Sequence, residues 1–256
     1  MHKCRSFCTT GCSAWGDMKI GPLKLSYFPG IDRAIVARGH PLIVTRVHPS
    51  SSIETRAQQL KENLLRQLTT LGRAGQKVIL VGHSLGGLDA RYTVARFGLA
   101  EHVAAVVTVT CPHRGSPLAD WVVEHLGQRL GGIKLIRFLG LDLRAVLDLT
   151  TARCRTFNQQ ILDVPGVAYF SVSAAQLPER LPLFAVRPHR LIQAAEGDND
   201  GLVSVQSSTW GKHLGVWESD HWHTCNHRIG RNRKRVRTDI LPLWMRLLDD
   251  VTQQIV

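Results

Sequence analysis

Acidic residues are scarce in this chain: 20 Asp and Glu stand against 32 Lys and Arg among 256 residues, a formal charge of +12 at pH 7. Such an imbalance draws a protein toward anionic surfaces and says nothing of its fold. No run of 18 or more apolar residues occurs, so the sequence offers no membrane-spanning helix. Internal repeats and low-complexity tracts are also missing, which excludes solenoids, propellers and linker-dominated chains. Of the six cysteines, Cys4, Cys8 and Cys12 lie four apart and Cys111, Cys154 and Cys225 are scattered. None forms a C-x-x-C pair, which speaks against a zinc ribbon; scattered thiols read as buried and unpaired, with a disulfide left open.

What is present suits one globular domain over residues 1–256: the chain is long enough for a full core, and its hydrophobic content is 44%. The positive charge is unevenly spread. Six basic residues fall within the ten positions Arg228–Arg237. That run reads as a solvated loop before the last helix or as a contact for an anionic lipid surface. Neither aromatic interleaving nor a nucleic-acid motif accompanies it, so no nucleic-acid partner is expected. The stretch Met1–Ser13 is charged and lacks the apolar centre of a secretory signal. The expectation is a cytoplasmic protein, or a secreted one whose true N-terminus lies upstream.

Strand and helix patterns alternate, as in a mainly parallel sheet flanked by helices. Strands are predicted at 41–47, 77–81, 103–110 and 168–172. Ser51 with Glu54 three residues later forms a capping box before a predicted helix at 53–71. Glycines and a serine then punctuate the most informative segment, Gly82-His83-Ser84-Leu85-Gly86, which follows an aliphatic strand and opens a helix at 86–97. In that context a Gly-x-Ser-x-Gly is a nucleophile elbow rather than a glycine-rich turn with a capping serine. Twelve apolar residues with four glycines crowd positions 121–143 of the span 117–149, which is too apolar for a surface connection and too broken for one core helix. It is predicted to be a mobile helical cover over a pocket. A final helix is predicted at 238–251.

A serine hydroxyl needs a base within reach and an acid to orient that base. After Ser84 the chain offers Asp198 and Asp200, then His221, His223 and His227, in the order Ser, acid, His that suits an α/β-hydrolase fold. His221, His223 and His227 could otherwise form a metal set, though without an acidic helper motif.

Gly82-His83-Ser84-Leu85-Gly86-Gly87, Pro112-His113-Arg114-Gly115-Ser116, Leu149–Arg153 with Phe157-Asn158, and Asn199-Asp200-Gly201-Leu202-Val203 occur in one order along most of the chain. Together they resemble the bacterial triacylglycerol lipases of the Pseudomonas and Burkholderia type. The resemblance implies an α/β-hydrolase fold with a lid-like insertion at 117–149. It also implies Ser84 as nucleophile, Asp200 as acid and His221 as base. Leu85 supplies one backbone donor of the oxyanion hole, and position 12, here Cys12, the other.

The chain departs from that family in three ways. Thr10 stands where the family's oxyanion-strand histidine belongs, after a polar segment in place of an aliphatic strand. Lys3 and Arg5 would sit buried in a central strand, which is costly. Residues 1–10 are therefore expected to be an atypical start, from a shifted reading frame or a wrong start codon, and to form a poorly ordered stretch or an edge strand. Ester hydrolysis is then expected to be weak for want of one oxyanion donor. His223 replaces the family's calcium-binding aspartate, and Gln206 replaces a disulfide cysteine; no metal and no cofactor are expected.

The functional expectation is a serine carboxylic-ester hydrolase working on lipid acyl esters through a Ser-His-Asp triad and an acyl-enzyme. A lipid deacylase akin to the GPI inositol-deacylases, or an acyltransferase, would use the same machinery. The reading from another class is a silent hydrolase-like domain that binds lipid or a partner.

Overall fold

Six strands pair side by side, all parallel, in the order β4-β1-β5-β6-β7-β8. They are β1 (Ser6–Gly11), β4 (Leu42–Val44), β5 (Val78–His83), β6 (Val103–Val109), β7 (Ala168–Ala175) and β8 (Lys212–Glu218). A separate antiparallel pair joins β2 (Lys19–Ile20) and β3 (Leu23–Lys24). The computed structural model describes residues 6–11, 19–20, 23–24, 27–48, 51–125, 143–230 and 238–255.

The central strands β5 and β6 are buried at every position and mostly apolar because helices cover both faces of the sheet. Side chains alternate across the pleat. Ile79 and Val81 of β5 therefore join Ala105, Val107 and Val109 of β6 on one face. There they meet Ile31 and Ile35 of α1 (Ile31–Ala37) and Trp244, Leu247, Leu248 and Val251 of α9 (Leu241–Gln254). Val78, Leu80 and Val106 face the other way, against Leu60, Leu64 and Leu68 of α2 (Ile53–Thr70) and Ala90 and Val94 of α3 (Leu85–Arg96). The four-residue spacing of those α2 leucines is the stripe that an amphipathic helix buries.

Several sequence expectations are corrected here. The first strand is an interior one, with Phe7 opposite both Leu42 of β4 and Ile79 of β5. Its described ladder starts at Ser6, Lys3 and Arg5 lie outside the described residues, and Phe7 is fully buried. The strand predicted at 41–47 shortens to Leu42–Val44, because it lies at the sheet edge with one neighbour. The cap of α2 is Ser52 rather than Ser51: its hydroxyl accepts the Thr55 N–H at 3.3 Å, and its extended backbone (φ −59°, ψ 157°) is what an N-cap needs.

Within the segment 117–149, α4 (Pro117–Glu124) and α5 (Leu143–Asp148) are helical, and 126–142 lie outside the described residues. Sequence periodicity missed α1, α6 (Thr151–Gln160), α7 (Val186–Glu196) and β8. These elements are short or polar. Only Trp217 of β8 is buried, the other positions being exposed or half-buried, as suits the sheet's other edge. A further short helix, α8 (Val205–Ser208), follows the turn after α7.

One ion pair ties α2 to α3 inside the protein. Arg56 Nη2 lies 2.7 Å from Asp89 Oδ2, its Nε reaches both carboxylate oxygens, and both side chains are wholly buried. Arg56 Nη1 also donates to the His48 carbonyl at 2.9 Å. Removing one member of such a pair leaves the other charged and unsolvated. Arg56→Ala should therefore lower unfolding free energy by about 3–5 kcal/mol in urea titration. An exposed pair such as Arg38–Asp249 should cost under about 1 kcal/mol when broken.

Candidate active site

β5 runs straight into α3 with a single residue between them, and that residue is Ser84. It sits at φ 54°, ψ −132°, a backbone region that costs a non-glycine residue about 1–3 kcal/mol. The surroundings enforce it: the Ser84 N–H donates to the Val109 carbonyl at 3.0 Å, and the Gly87 N–H donates back to the Ser84 carbonyl at 3.0 Å. Two glycines make room. A Cβ on Gly82 would lie 2.5 Å from the Gly86 carbonyl oxygen, and one on Gly87 would lie 2.6 Å from Cys111 Sγ. The sharp turn lifts the Ser84 side chain clear of the sheet. It also leaves the Leu85 N–H in the first turn of α3, where helix donors have no internal partner.

The sequence candidates converge on that serine. His221, in the loop after β8, places Nε2 3.0 Å from Ser84 Oγ and Nδ1 2.7 Å from Asp200 Oδ2. Asp200 is completely buried, and its other oxygen accepts the N–H groups of Leu202 (2.9 Å) and Val203 (2.8 Å). Both carboxylate oxygens are thus satisfied, so Nδ1 carries the proton donated to Asp200 and Nε2 is free to accept from Ser84. A backbone bond from the His221 N–H to the Asp200 carbonyl at 3.0 Å registers the two loops.

The rivals lie elsewhere. Asp198 is exposed, a solvated turn carboxylate. His223 Nε2 donates to the Thr238 carbonyl at 2.7 Å, and His227 Nε2 to the Tyr27 carbonyl at 2.8 Å, so the three histidines do not converge. A calcium ion does not fit the residues at the family position. His223 offers a ring nitrogen where a hard cation takes oxygen, and the buried His223 Nδ1 meets no partner among the described residues. Cys12, assigned to the second oxyanion donor, lies outside the described residues, just beyond the end of β1.

Beside Ser84 and His221 opens an apolar pocket. Its walls are aliphatic: Leu118, Ala119 and Val122 from α4, Val146 from α5, and Leu149, Leu202 and Val203 from the neighbouring loops. Ser116 bridges wall and acid loop, capping α4 while its hydroxyl donates to the Leu202 carbonyl at 2.9 Å.

A buried cation that sequence reasoning missed holds the loop 112–116. Arg91 of α3 donates to Asn158 Oδ1 (2.9 Å), the Ile161 carbonyl (3.0 Å) and His113 Nδ1 (3.2 Å), with its guanidinium 3.7 Å above the Trp210 ring. Asn158 Nδ2 in turn donates to the His113 carbonyl at 2.8 Å. Burial first, and then the charge of Arg91, hold the His113 imidazole well below its ordinary range, so it is neutral. Only the position of Arg91 on the inner side of α3, seven residues after Ser84, could have signalled this. Cys111, Cys154 and Cys225 are buried free thiols, and burial pushes Cys154 up to about 12.

Comparison with known proteins bears on the family and the fold. The Alpha/beta hydrolase family model matches residues 13–239. Triacylglycerol lipase 2 of Saccharomyces cerevisiae is 29% identical over 247 residues, covering 91% of this chain and 75% of the relative. A triacylglycerol lipase of Pseudomonas fragi is 29% identical over 254 residues, covering 82% and 85%. Among solved structures, a Bacillus licheniformis lipase in mature form superposes with a TM-score of 0.70 at 21% identity, over 95% of this chain and 91% of that one.

The elbow geometry makes a direct demand on Gly82. Gly82→Ala forces a methyl group onto the Gly86 backbone, so it should destabilise the protein by about 3 kcal/mol or more, beyond ordinary overpacking. Gly166→Ala, at a position with open space and positive φ, is the control for backbone strain alone, and thermal unfolding of the two compares them.

Proposed function

The chain belongs to the alpha/beta hydrolase family, and on that premise we propose that it is a carboxylic ester hydrolase cleaving the acyl esters of lipids. One observation carries the reading: the hydrogen-bonded line Asp200–His221–Ser84 ends at the mouth of an aliphatic pocket. The pocket walls offer an acyl chain apolar contacts and little hydrogen bonding, as lipid substrates require. The names of the relatives, triacylglycerol lipases from yeast and Pseudomonas fragi, support the same substrate class.

In this reading Ser84 Oγ attacks the acyl carbonyl carbon while its proton passes to His221 Nε2. Asp200 holds the Nδ1–H and stabilises the imidazolium that forms. Negative charge gathers on the former carbonyl oxygen, toward which the Leu85 N–H donates; Cys12, by its place after β1, is assigned the second donor. Collapse of the intermediate breaks the ester C–O bond, and His221 returns the proton to the departing alcohol. Water then attacks the acyl-enzyme, gives its proton to His221, and the fatty acid leaves as Ser84 regains its hydrogen. A deacylase would follow the same steps, and an acyltransferase would replace the water with another alcohol. A silent binding module would not need a nucleophile held in a strained backbone with its base and acid aligned.

The triad assignment is tested by kinetics on p-nitrophenyl esters. Medium-chain esters should be preferred over acetate. Ser84→Ala and His221→Ala should each lower kcat by about 10⁶, and Asp200→Asn by about 10⁴, with KM little changed. Fluorophosphonate labelling should vanish in Ser84→Ala. A larger loss in His223→Ala or His227→Ala than in His221→Ala would overturn the assignment of the base.

The basic run Arg228–Arg237 fits an anionic lipid surface in the same reading. Gly230, at its root, packs against Phe184 and Pro182, and Phe184 meets Trp222 at 4.9 Å beside His221, with Leu183 59% exposed. Residues 231–237 lie outside the described residues. Binding to phosphatidylserine vesicles should exceed binding to phosphatidylcholine vesicles and weaken with salt, by about 1 kcal/mol for each basic residue replaced by serine. Equal sedimentation with both vesicle types would overturn this contact.

A further inference from the structure

The residue just before the nucleophile is spent on a second task. His83, 3% exposed, places Nε2 2.9 Å from Thr224 Oγ1 and 3.2 Å from the His221 carbonyl, while Nδ1 lies 2.9 Å from the Tyr27 hydroxyl. The atoms fix the proton positions. A carbonyl oxygen only accepts, so Nε2 bears the hydrogen and shares it between the His221 carbonyl and Thr224 Oγ1. Nδ1 is then bare and accepts the Tyr27 O–H. Thr224 donates its own hydroxyl hydrogen to the same His221 carbonyl at 2.6 Å. Every polar atom of the imidazole is thereby used, and the ring is neutral.

The consequence falls on His221. Its ring makes two hydrogen bonds that define the active line, yet its backbone sits in a turn, not in a strand or helix. His83 and Thr224 both grip its carbonyl, and the His83 ring lies 4.8 Å from the His221 ring. Because His83 is the last residue of β5 and Ser84 follows it directly, one rigid strand end sets both the nucleophile and the backbone of its base. The distance from Nε2 to Oγ is then measured along a short covalent path through β5 rather than across the whole loop after β8.

We propose that His83 is a positioning residue: a neutral imidazole bracket, oriented by Tyr27, that fixes the His221 carbonyl to the end of β5 and so keeps the base in register with Ser84. The proposal rests on the ester-hydrolase reading above. It gives the histidine of the Gly-His-Ser-Leu-Gly segment a role distinct from the elbow itself, where the small residues are what the turn requires. Burial, followed by the nearby charge of His221 when protonated, holds His83 well below the ordinary histidine range. The bracket therefore adds no second cation beside the imidazolium that forms during turnover.

The test compares His83→Phe, which keeps the ring volume and loses all three hydrogen-bond contacts, with His83→Gln, whose terminal amide can still donate to the His221 carbonyl. Wild-type turnover of a p-nitrophenyl ester is measured first, because its absence would strike the ester-hydrolase reading and not the bracket. Given turnover, His83→Phe should lower kcat by about 10- to 100-fold, as ångström-scale misplacement of a reacting group does, with KM within twofold. His83→Gln should recover most of that loss. A kcat unchanged in His83→Phe overturns the proposal, as does an equal loss in both variants, or a loss expressed in KM alone. Should His83→Phe not fold, Tyr27→Phe tests the bracket from its other end: a several-fold loss of kcat at unchanged KM and melting temperature supports it, and full activity overturns it.

Discussion

The left-handed backbone at Ser84 is the constraint on which the rest of the molecule depends. A non-glycine residue rests there only because its neighbours over-determine it: the Val109 carbonyl takes its N–H, the Gly87 N–H takes its carbonyl, and Gly82 and Gly87 vacate the space that the turn consumes. The sheet must be well packed to hold such strain. Two apolar layers, one under α1 and α9 and the other under α2 and α3, clamp β5 from both sides. The buried Arg56–Asp89 pair then locks α3, the helix that begins at the serine, to α2.

Around that fixed point the other groups of the site come from loops, and each loop is tied to a rigid neighbour by specific hydrogen bonds. The acid loop is held by two N–H groups on Asp200 and by Ser116 on the Leu202 carbonyl. The His221 loop is tied to the Asp200 loop through the His221 N–H and to the end of β5 through the His221 carbonyl. Arg91 does the same for the loop 112–116 from the inner side of α3, and stacks on Trp210 as it does so. The site is a set of loops moored to β5 and α3, and its polar interior is almost fully paired.

The pocket is the counterpart of this polar side. Its walls come from α4, α5 and the turns near them, the part of the chain whose apolar residues exceed what a covered sheet can absorb. In the proposed ester hydrolysis, the polar, braced edge at Ser84 handles charge and the apolar cleft next to it takes the part of the substrate that carries none.

The sequence by itself determined the alternation of buried strands and helices, the elbow at Ser84, and the order of serine, acid and histidine, because these depend on local periodicity and on residue types with few substitutes. It could not place β1: a strand of Ser, Cys, Thr and a single Phe carries no hydrophobic run, and only pairing with β4 and β5 on its two sides makes it interior. It could not choose among Asp198 and Asp200, or His221, His223 and His227, by residue type. Contact distances separate them: Asp200 is buried against His221, Asp198 faces solvent, and His223 and His227 spend their ring nitrogens on backbone carbonyls. Arg91 and His83 were legible as letters and silent as to role. A long-range hydrogen bond leaves no periodic trace along the chain, so only the tertiary structure could join one to the loop 112–116 and the other to the His221 carbonyl.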